Sequence, residues 1–304
     1  MGQIMLSTFT RDQLAQAGAH DVSDELERGR IVAFPECPIE LPSPEDLSFL
    51  REEMPKVLKL KNISFHPESG RIVGIKGEKS VIERTESLLK THGGRVQEFL
   101  GRTIPALARD WMIGTSSFRP MQEKGRDLPA HASNELVHVD AGAYGATHGD
   151  RILRFFVNVN PVEERVWITK GAFPELFQRF GGKAGVAQNG GGHLEEGVLD
   201  RVRTATVGAI STVVPPAKLL DSSPYDRAMR RFHNFMKDTP EFQSTPDGHR
   251  EFRMKPFWAW MVFTDMVSHA VISGQHAFVD TFVVPLANCR LPEMAPINIL
   301  KGRP

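Results

Sequence analysis

Hydrophobic side chains change their spacing along the chain, and the change separates two parts with different predicted secondary structure. Between residues 80 and 102 the apolar positions recur at helical spacing, with Ser80 as a candidate N-cap. Gly93-Gly94 falls inside this stretch and predicts a break between two helices. From about residue 137 the apolar residues come in short runs between glycine and polar residues, a pattern typical of a sandwich or jelly roll.

Short apolar runs predict strands at residues 152–158, 166–169, 257–264, 269–272 and 278–284. Helical insertions are predicted at residues 172–180 and from Ser223-Pro224, where a capping serine precedes proline at the first helical position. The glycine-rich stretch 181–197 is predicted to be a mobile loop. We therefore expect a mainly β protein with helical extensions (α+β). Its expected parts are an N-terminal α/β extension packed on the core (1–110), the core with its helical insertions (111–285) and an irregular C-terminal tail (286–304).

Composition narrows the range of functions. The 37 basic and 37 acidic residues balance, so we expect no nucleic-acid partner. No apolar stretch approaches the ~20 residues of a membrane-spanning helix, and the first residues lack the pattern of a secretion signal, so a cytoplasmic protein is expected. Cys37 and Cys289 lie far apart and outside any metal-binding spacing, which predicts free thiols.

The predicted helices before residue 110 carry basic residues on their outer faces: Arg84, Lys90, Arg95 and Arg102. A solvated helix face is the usual meaning of such charges. Contact with an anionic substrate, or peripheral contact with a membrane surface, is the alternative.

The tripeptide His138-Val139-Asp140 carries the most chemical information, because residues two apart on a strand project from the same face. Alone it is weak evidence in a chain with eleven histidines. His269, at the start of a predicted strand, supplies a third ligand candidate, although it could also be a core histidine. Two imidazoles and one carboxylate leave three open positions, which suits non-haem Fe(II). His276 is the competing distal ligand, in a different strand register.

With these residues the sequence resembles the Fe(II)/2-oxoglutarate-dependent oxygenases, whose pattern is HxD and a distal His on a double-stranded β-helix (jelly roll, cupin-like). More closely, it resembles the hydroxylases of 3-deoxy-D-manno-octulosonic acid (Kdo) in Gram-negative lipopolysaccharide. The segments behind this resemblance are 117–126, 136–140, 147–161, 223–226, 231–234 and 264–275. The resemblance implies Fe(II), 2-oxoglutarate and O₂, and hydroxylation of C3 of Kdo in Kdo-lipid A to give Ko. It also implies a protein that contacts the cytoplasmic face of the inner membrane peripherally.

A 2-oxoglutarate oxygenase must also bind a remote carboxylate, for which a bidentate guanidinium is the best donor. Arg154 is the candidate, and alternation places it on one strand face with Phe156 and with Asn158, a further candidate for cosubstrate binding. A structural ion pair would be the other explanation of its charge, and Arg151 is the alternative anchor. Many relatives carry Arg or Lys about ten residues after the distal histidine, whereas this chain has Val279-Asp280-Thr281. Either Arg154 replaces that anchor or the cosubstrate is not 2-oxoglutarate.

Three basic residues ahead of the metal motif are candidates for binding the carboxylate and phosphates of a Kdo-bearing lipid: Arg119, Lys124 and Arg126. A solvated turn would explain them equally. Two other functions fit the same pattern. One is a 2-oxoglutarate oxygenase of another small molecule or a peptide, and the other is a non-catalytic cupin-like protein that binds a sugar or a metal.

Overall fold

The computed structural model describes residues 5–186 and 223–302, so most of the predicted 181–197 loop lies outside the described residues. The strands are β1 (Leu6–Thr8), β2 (Ile31–Phe34), β3 (Ile63–His66), β4 (Arg71–Val73), β5 (Met112–Arg119), β6 (Arg151–Asn158), β7 (Arg165–Thr169), β8 (Arg250–Met254), β9 (Ala259–Phe263), β10 (Ala270–Ser273) and β11 (Ala277–Val284). The helices are α1 (Arg11–Gln16), α2 (Asp21–Glu27), α3 (Pro44–Val57), α4 (Lys79–Thr103), α5 (Phe173–Phe180), α6 (Pro224–Asp238), α7 (Pro240–Ser244) and α8 (Pro296–Leu300).

The strands form one large sheet and one small sheet. The large sheet has the order β1-β2-β9-β6-β11-β5-β3-β4, and its neighbours are antiparallel except for the parallel pair β1 and β2. The small antiparallel sheet has the order β10-β7-β8. Both edges of the large sheet come from the first 110 residues of the chain. The predicted mainly β class with helical extensions is confirmed, and the described strands do not close into a barrel.

Aromatic side chains pack between the two sheets. Trp167 of β7 lies edge-on to Phe156 of β6, with ring centroids 4.8 Å apart, and to Trp260 of β9, at 5.6 Å. On the opposite face of β6, Phe155 packs against Phe34 and Phe99. Strand β6 is thus covered on both faces, which explains the apolar run of Phe155, Phe156 and Val157 within it.

The predicted break at Gly93-Gly94 is wrong, because α4 runs without interruption from Lys79 to Thr103. A glycine inside a helix costs only about 1 kcal/mol relative to alanine, and packing can outweigh that cost. At Gly93 the missing Cβ lets the helix lie directly on β5, since a Cβ there would overlap with the Ser116 hydroxyl. The glycine is therefore a point of close packing.

Other local predictions fare differently. The Ser223 cap of α6 is confirmed, since its hydroxyl accepts from the backbone N–H of Asp226 and a full capping box forms. The tail after Pro285 was expected to be irregular, yet it contains the short helix α8. Within the described ranges, no helix combines the length and apolarity needed to cross a bilayer.

Candidate active site

The HxD motif and the distal histidine are joined by one antiparallel β-bridge, between His138 and His269, beside the small sheet. The backbone N–H of His269 donates to the carbonyl of His138 at 2.8 Å, and the reverse bond is 3.1 Å long. The backbone N–H of Asp140 donates to Thr264 at 2.8 Å. One ligand atom from each of His138, Asp140 and His269 lies within 4.8 Å of the others. The structure therefore brings the three predicted ligands together, although the motif is a bridge pair and not a longer strand.

Backbone carbonyls set the orientation of both imidazoles. Nδ1 of His138 lies 2.6 Å from the carbonyl of Leu136, and Nδ1 of His269 lies 3.0 Å from that of Val267. Because Nδ1–H donates to a carbonyl, Nε2 keeps its lone pair for a metal. Burial lowers the pKa of His138 well below its ordinary value and also lowers the pKa of His269. Neutral imidazole is the form that binds metal.

Asp140 completes a donor set that fits iron. Burial alone would raise the pKa of its carboxyl group, but the positive charge of Arg154 holds that pKa below its ordinary value. Nη2 of Arg154 lies 3.0 Å from Oδ2 of Asp140 without hydrogen-bond geometry, and among the described residues this Oδ2 has no hydrogen-bond partner. A free carboxylate oxygen and two free imidazole nitrogens are the donors of a 2-His-1-carboxylate iron site.

Two other histidines, His276 and His233, lie outside the cluster of three ligands. His276, the competing ligand, stacks on Phe118 with ring centroids 6.2 Å apart and does not join the cluster. His233 carried no signal in the sequence, yet its ring lies edge-on to His138 at 4.9 Å, and its Nδ1 is 2.7 Å from the carbonyl of Val139. Burial lowers the pKa of His233 to about 4.

The three ligands open into a cavity of about 350 Å³ between the two sheets. Alternate residues of β6 and β11 form one wall of it. Arg154 stands directly opposite Thr281 in the strand register, and Phe156 stands opposite Val279. Val279 and Thr281, from the segment after His269 that lacks a basic residue, therefore line the cavity. The guanidinium there is that of Arg154, on the neighbouring strand β6.

Three more cationic side chains line the cavity, and only Arg119 was predicted. Nη1 of Arg119 lies 3.3 Å from Oε1 of Glu123, and burial lowers the pKa of Arg119 to about 10. Lys61 donates to the carbonyl of Ala132 and to Oδ1 of Asn134. Burial and the charge of Arg119 lower the pKa of Lys61 to about 7.

Lys237 of α6 is the third cation, and it donates to the carbonyls of His131 and Ser133. Burial lowers its pKa to about 8. Neither lysine could be found from local spacing, because each reaches the cavity from an element remote in sequence from the metal motif.

Four predicted site residues are not brought into the cavity. Arg151 is buried on the other side of β6 and pairs with Asp265 at 2.6 Å. The side-chain amide of Asn158 donates to two backbone carbonyls at the end of β6. Lys124 is exposed, and Arg126 donates to the backbone carbonyl of Lys61 at 3.2 Å. Arg126 therefore supports the cavity wall from behind.

Comparisons with known proteins agree with this geometry. The family model of the 3-deoxy-D-manno-oct-2-ulosonic acid (Kdo) hydroxylases matches residues 10–302. No curated protein sequence matches the chain. A crystal structure of the Kdo hydroxylase KdoO, described as a non-haem Fe(II) α-ketoglutarate-dependent dioxygenase, with α-ketoglutarate and Fe(III), is 25% identical with a TM-score of 0.80. That match covers 99% of this chain and 95% of KdoO.

KdoO with succinate and Fe(III) is likewise 25% identical, with a TM-score of 0.79, over 98% of this chain and 95% of that chain. The fold, the clustered ligands and the match to the family model over nearly the whole length agree. The chain belongs to the Kdo hydroxylase family.

Proposed function

We propose that this protein is an Fe(II)- and 2-oxoglutarate-dependent dioxygenase that hydroxylates C3 of Kdo in Kdo-lipid A and gives Ko. The observation that carries the proposal is the cluster of His138, Asp140 and His269, with metal-binding atoms that the protein itself does not use. The structurally similar KdoO is described as an enzyme of this cofactor class.

His138, Asp140 and His269 would hold the iron through two Nε2 atoms and one carboxylate oxygen. When bound, iron together with 2-oxoglutarate and O₂ supplies the oxidising power that turns a C–H bond of the sugar into C–OH, with succinate and CO₂ as coproducts. The protein's own contribution is to fix the two imidazoles through their Nδ1–H groups, so that no reorganisation is needed when the metal binds.

Arg154 is proposed to bind the carboxylate of 2-oxoglutarate that is remote from the metal. Its Nε has no hydrogen-bond partner among the described residues, and its Nη2 lies 3.0 Å from Oδ2 of Asp140. The guanidinium is half-buried and keeps donors that the contact with Asp140 does not use, which suits it to bind an anion in the cavity. Arg119, which also lines the cavity, is proposed to bind an anionic group of the sugar substrate.

Apolar side chains in the cavity keep water away from the reacting groups. Trp167 stacks on His269, with ring centroids 5.4 Å apart and planes 18° from parallel. Phe156 and Val279 lie beside it on the facing sheet. A dry wall of this kind strengthens electrostatic contacts inside the cavity and limits side reactions.

We propose that the enzyme meets its lipid-linked substrate peripherally, at the cytoplasmic face of the inner membrane. Three of the four basic residues named above on α4 are paired with acidic side chains, so they do not support a large membrane patch there. Arg84 pairs with Asp46 at 2.7 Å, Arg95 pairs with Glu40 at 2.7 Å, and Arg102 pairs with Glu98. Sedimentation with vesicles of anionic lipid, with and without Kdo-lipid A, tests whether binding requires the substrate.

The function is tested in two steps. Anaerobic titration of the Fe(II) protein with 2-oxoglutarate should give the weak visible charge-transfer band of the chelate, and Asp140→Ala should not. Kdo-lipid A and ¹⁸O₂ should then yield a product heavier by one labelled oxygen on the sugar. Succinate without modified lipid would refute the Kdo assignment alone, whereas absence of both band and succinate would refute the oxygenase class.

A further inference from the structure

Two sets of polar side chains in the cavity differ in hydrogen-bonding character. One set is cationic and contains Lys61 and Arg119. The other, named here the hydroxyl row, contains Ser64 on β3, Thr115 and Ser117 on β5, and Tyr144. Each set can be matched to a chemical group of a sugar acid.

The hydroxyl row is continuous. Ser64 and Ser117 stand opposite each other in the strand register, with their Oγ atoms 2.8 Å apart. Ser117 donates to Thr115 at 3.2 Å, and Thr115 is hydrogen-bonded to the phenol of Tyr144. Alternation along β5 turns Thr115 and Ser117 toward the cavity, whereas Ser116 between them bonds to Asp280 behind the sheet.

A count of donors shows which partner the hydroxyl row prefers. Each hydroxyl has one hydrogen and two lone pairs, so four hydroxyls joined by three bonds retain one hydrogen and five lone pairs. The row is therefore mainly an acceptor and suits the O–H groups of a polyol. Lys61 and Arg119 carry only donors, which suits a carboxylate.

The backbone holds Tyr144 in a conformation that places its ring against the row. Tyr144 has φ of 62°, which is uncommon for a large side chain. A Cβ at Gly114 would overlap with the Tyr144 ring, so glycine at this position makes room for it. The ring also lies edge-on to His66, with centroids 6.3 Å apart. Strain of this kind is often found where a side chain contacts a ligand.

We propose that the cavity binds its sugar acid in one orientation, with the carboxylate at Lys61 and Arg119 and the sugar hydroxyls donating to the row that ends at Tyr144. Tyr144 and Thr115 are then specificity-determining residues for the polyol part of the substrate. The inference rests on the proposed function, because it takes the substrate to be Kdo.

The orientation can be tested by calorimetric titration of the anaerobic Fe(II)–2-oxoglutarate protein with two ligands, the methyl glycoside of Kdo and its neutral methyl ester. Tyr144→Phe and Thr115→Val should each raise Kd about tenfold for both ligands, because both ligands keep the hydroxyls. Lys61→Met should raise Kd for the acid and leave Kd for the ester unchanged. Tyr225→Phe is the matched control, since Tyr225 is the other tyrosine of the chain and does not line the cavity.

Unchanged affinity in both Tyr144→Phe and Thr115→Val would overturn the proposal, as would an equal effect of Lys61→Met on acid and ester. Steady-state kinetics give a second readout, in which the KM for the sugar rises much more than the KM for 2-oxoglutarate. Wild-type protein that forms no oxygenated sugar at all would refute the proposed function, and that outcome is separate from a failure of the variants.

Discussion

Two buried pairs of histidine and aspartate lie on opposite sides of the large sheet, and they differ in how completely the aspartate is bonded. Behind the sheet, Asp280 accepts from Ser116 at 2.6 Å and lies 3.0 Å from Nε2 of His92. On the cavity side, Oδ1 of Asp140 lies 3.6 Å from Nε2 of His138, and Oδ2 has no hydrogen-bond partner among the described residues.

Burial alone does not distinguish a structural pair from a functional one. Asp280 uses both oxygens within the protein and ties α4 to β11, so it has little capacity left for a ligand. Oδ2 of Asp140 keeps no hydrogen-bond partner among the described residues, and one ligand atom from each of Asp140, His138 and His269 lies within 4.8 Å of the others. An unsatisfied buried polar atom needs an explanation, and the proposed metal site supplies one.

The largest expected effect is the loss of a metal ligand on the cavity side. His138→Ala, Asp140→Ala and His269→Ala should each abolish iron binding and activity without loss of the fold, because each removes one of only three protein ligands. Iron content and succinate formation measure this effect. If His276→Ala instead lost iron while His269→Ala kept it, the distal ligand would be misassigned.

The matching change in the pair behind the sheet, His92→Ala, should affect stability and leave iron binding intact. His92→Ala should bind iron normally and lower the free energy of unfolding by about 2–4 kcal/mol, because it removes a buried ring and leaves an oxygen of Asp280 without its partner. Thermal or denaturant unfolding measures the loss. A His92→Ala protein that is stable but without iron would contradict the distinction between the two pairs.

Two arginines on β6 extend the comparison to the cosubstrate. Arg154→Leu should raise the KM for 2-oxoglutarate thirtyfold to about a thousandfold, because about 2–4 kcal/mol of charged hydrogen bonding is lost. Arg151→Leu should leave that KM unchanged but destabilise the fold by about 3–5 kcal/mol, since Asp265 would remain buried without its partner. Initial rates at varied 2-oxoglutarate separate the two, and an unchanged KM in folded Arg154→Leu would refute the anchor.

Lys61 makes the binding of the sugar acid depend on pH. Its pKa is lowered to about 7 by burial and by the charges of Arg119, Lys237 and Arg154, with Glu123 acting in the opposite direction. The amine is charged below that pKa and neutral above it, so the KM for the sugar acid should rise about tenfold from about pH 6 to about pH 8. Lys61→Arg should retain tight binding and lose the part of this rise that Lys61 causes, while Lys237 still titrates in the same cavity. A wild-type profile that is unchanged in Lys61→Met would show that another group titrates.

The sequence was most informative where short-range periodicity governs the structure. HxD spacing and alternation along β6 correctly grouped His138 with Asp140 and placed Arg154 beside Phe156. The sequence could not reveal Lys61, because that residue reaches the cavity only through the pairing of β3 with β5, a contact between distant segments.

The charges that the sequence did suggest were harder to interpret. Alternation puts Arg151 and Arg154 on opposite faces of β6, but only the structure shows that Arg151 is paired with Asp265 while Arg154 faces the cavity. Arg126 likewise faces away and supports the backbone at Lys61. A partner distant in the chain decides each case, and spacing carries no information about it.

The smallest effects concern the two adjacent glycines that were predicted to break α4. Gly94 has open space around its missing Cβ, so Gly94→Ala should raise the free energy of unfolding by up to about 1 kcal/mol through helix propensity. Gly93→Ala should lower it by about 1–3 kcal/mol, because the new methyl group displaces the Ser116 hydroxyl from Asp280. Adding Ser116→Ala to Gly93→Ala should restore part of the loss. Equal stabilisation by both alanines in denaturant unfolding would mean that α4 does not pack on β5 through Gly93.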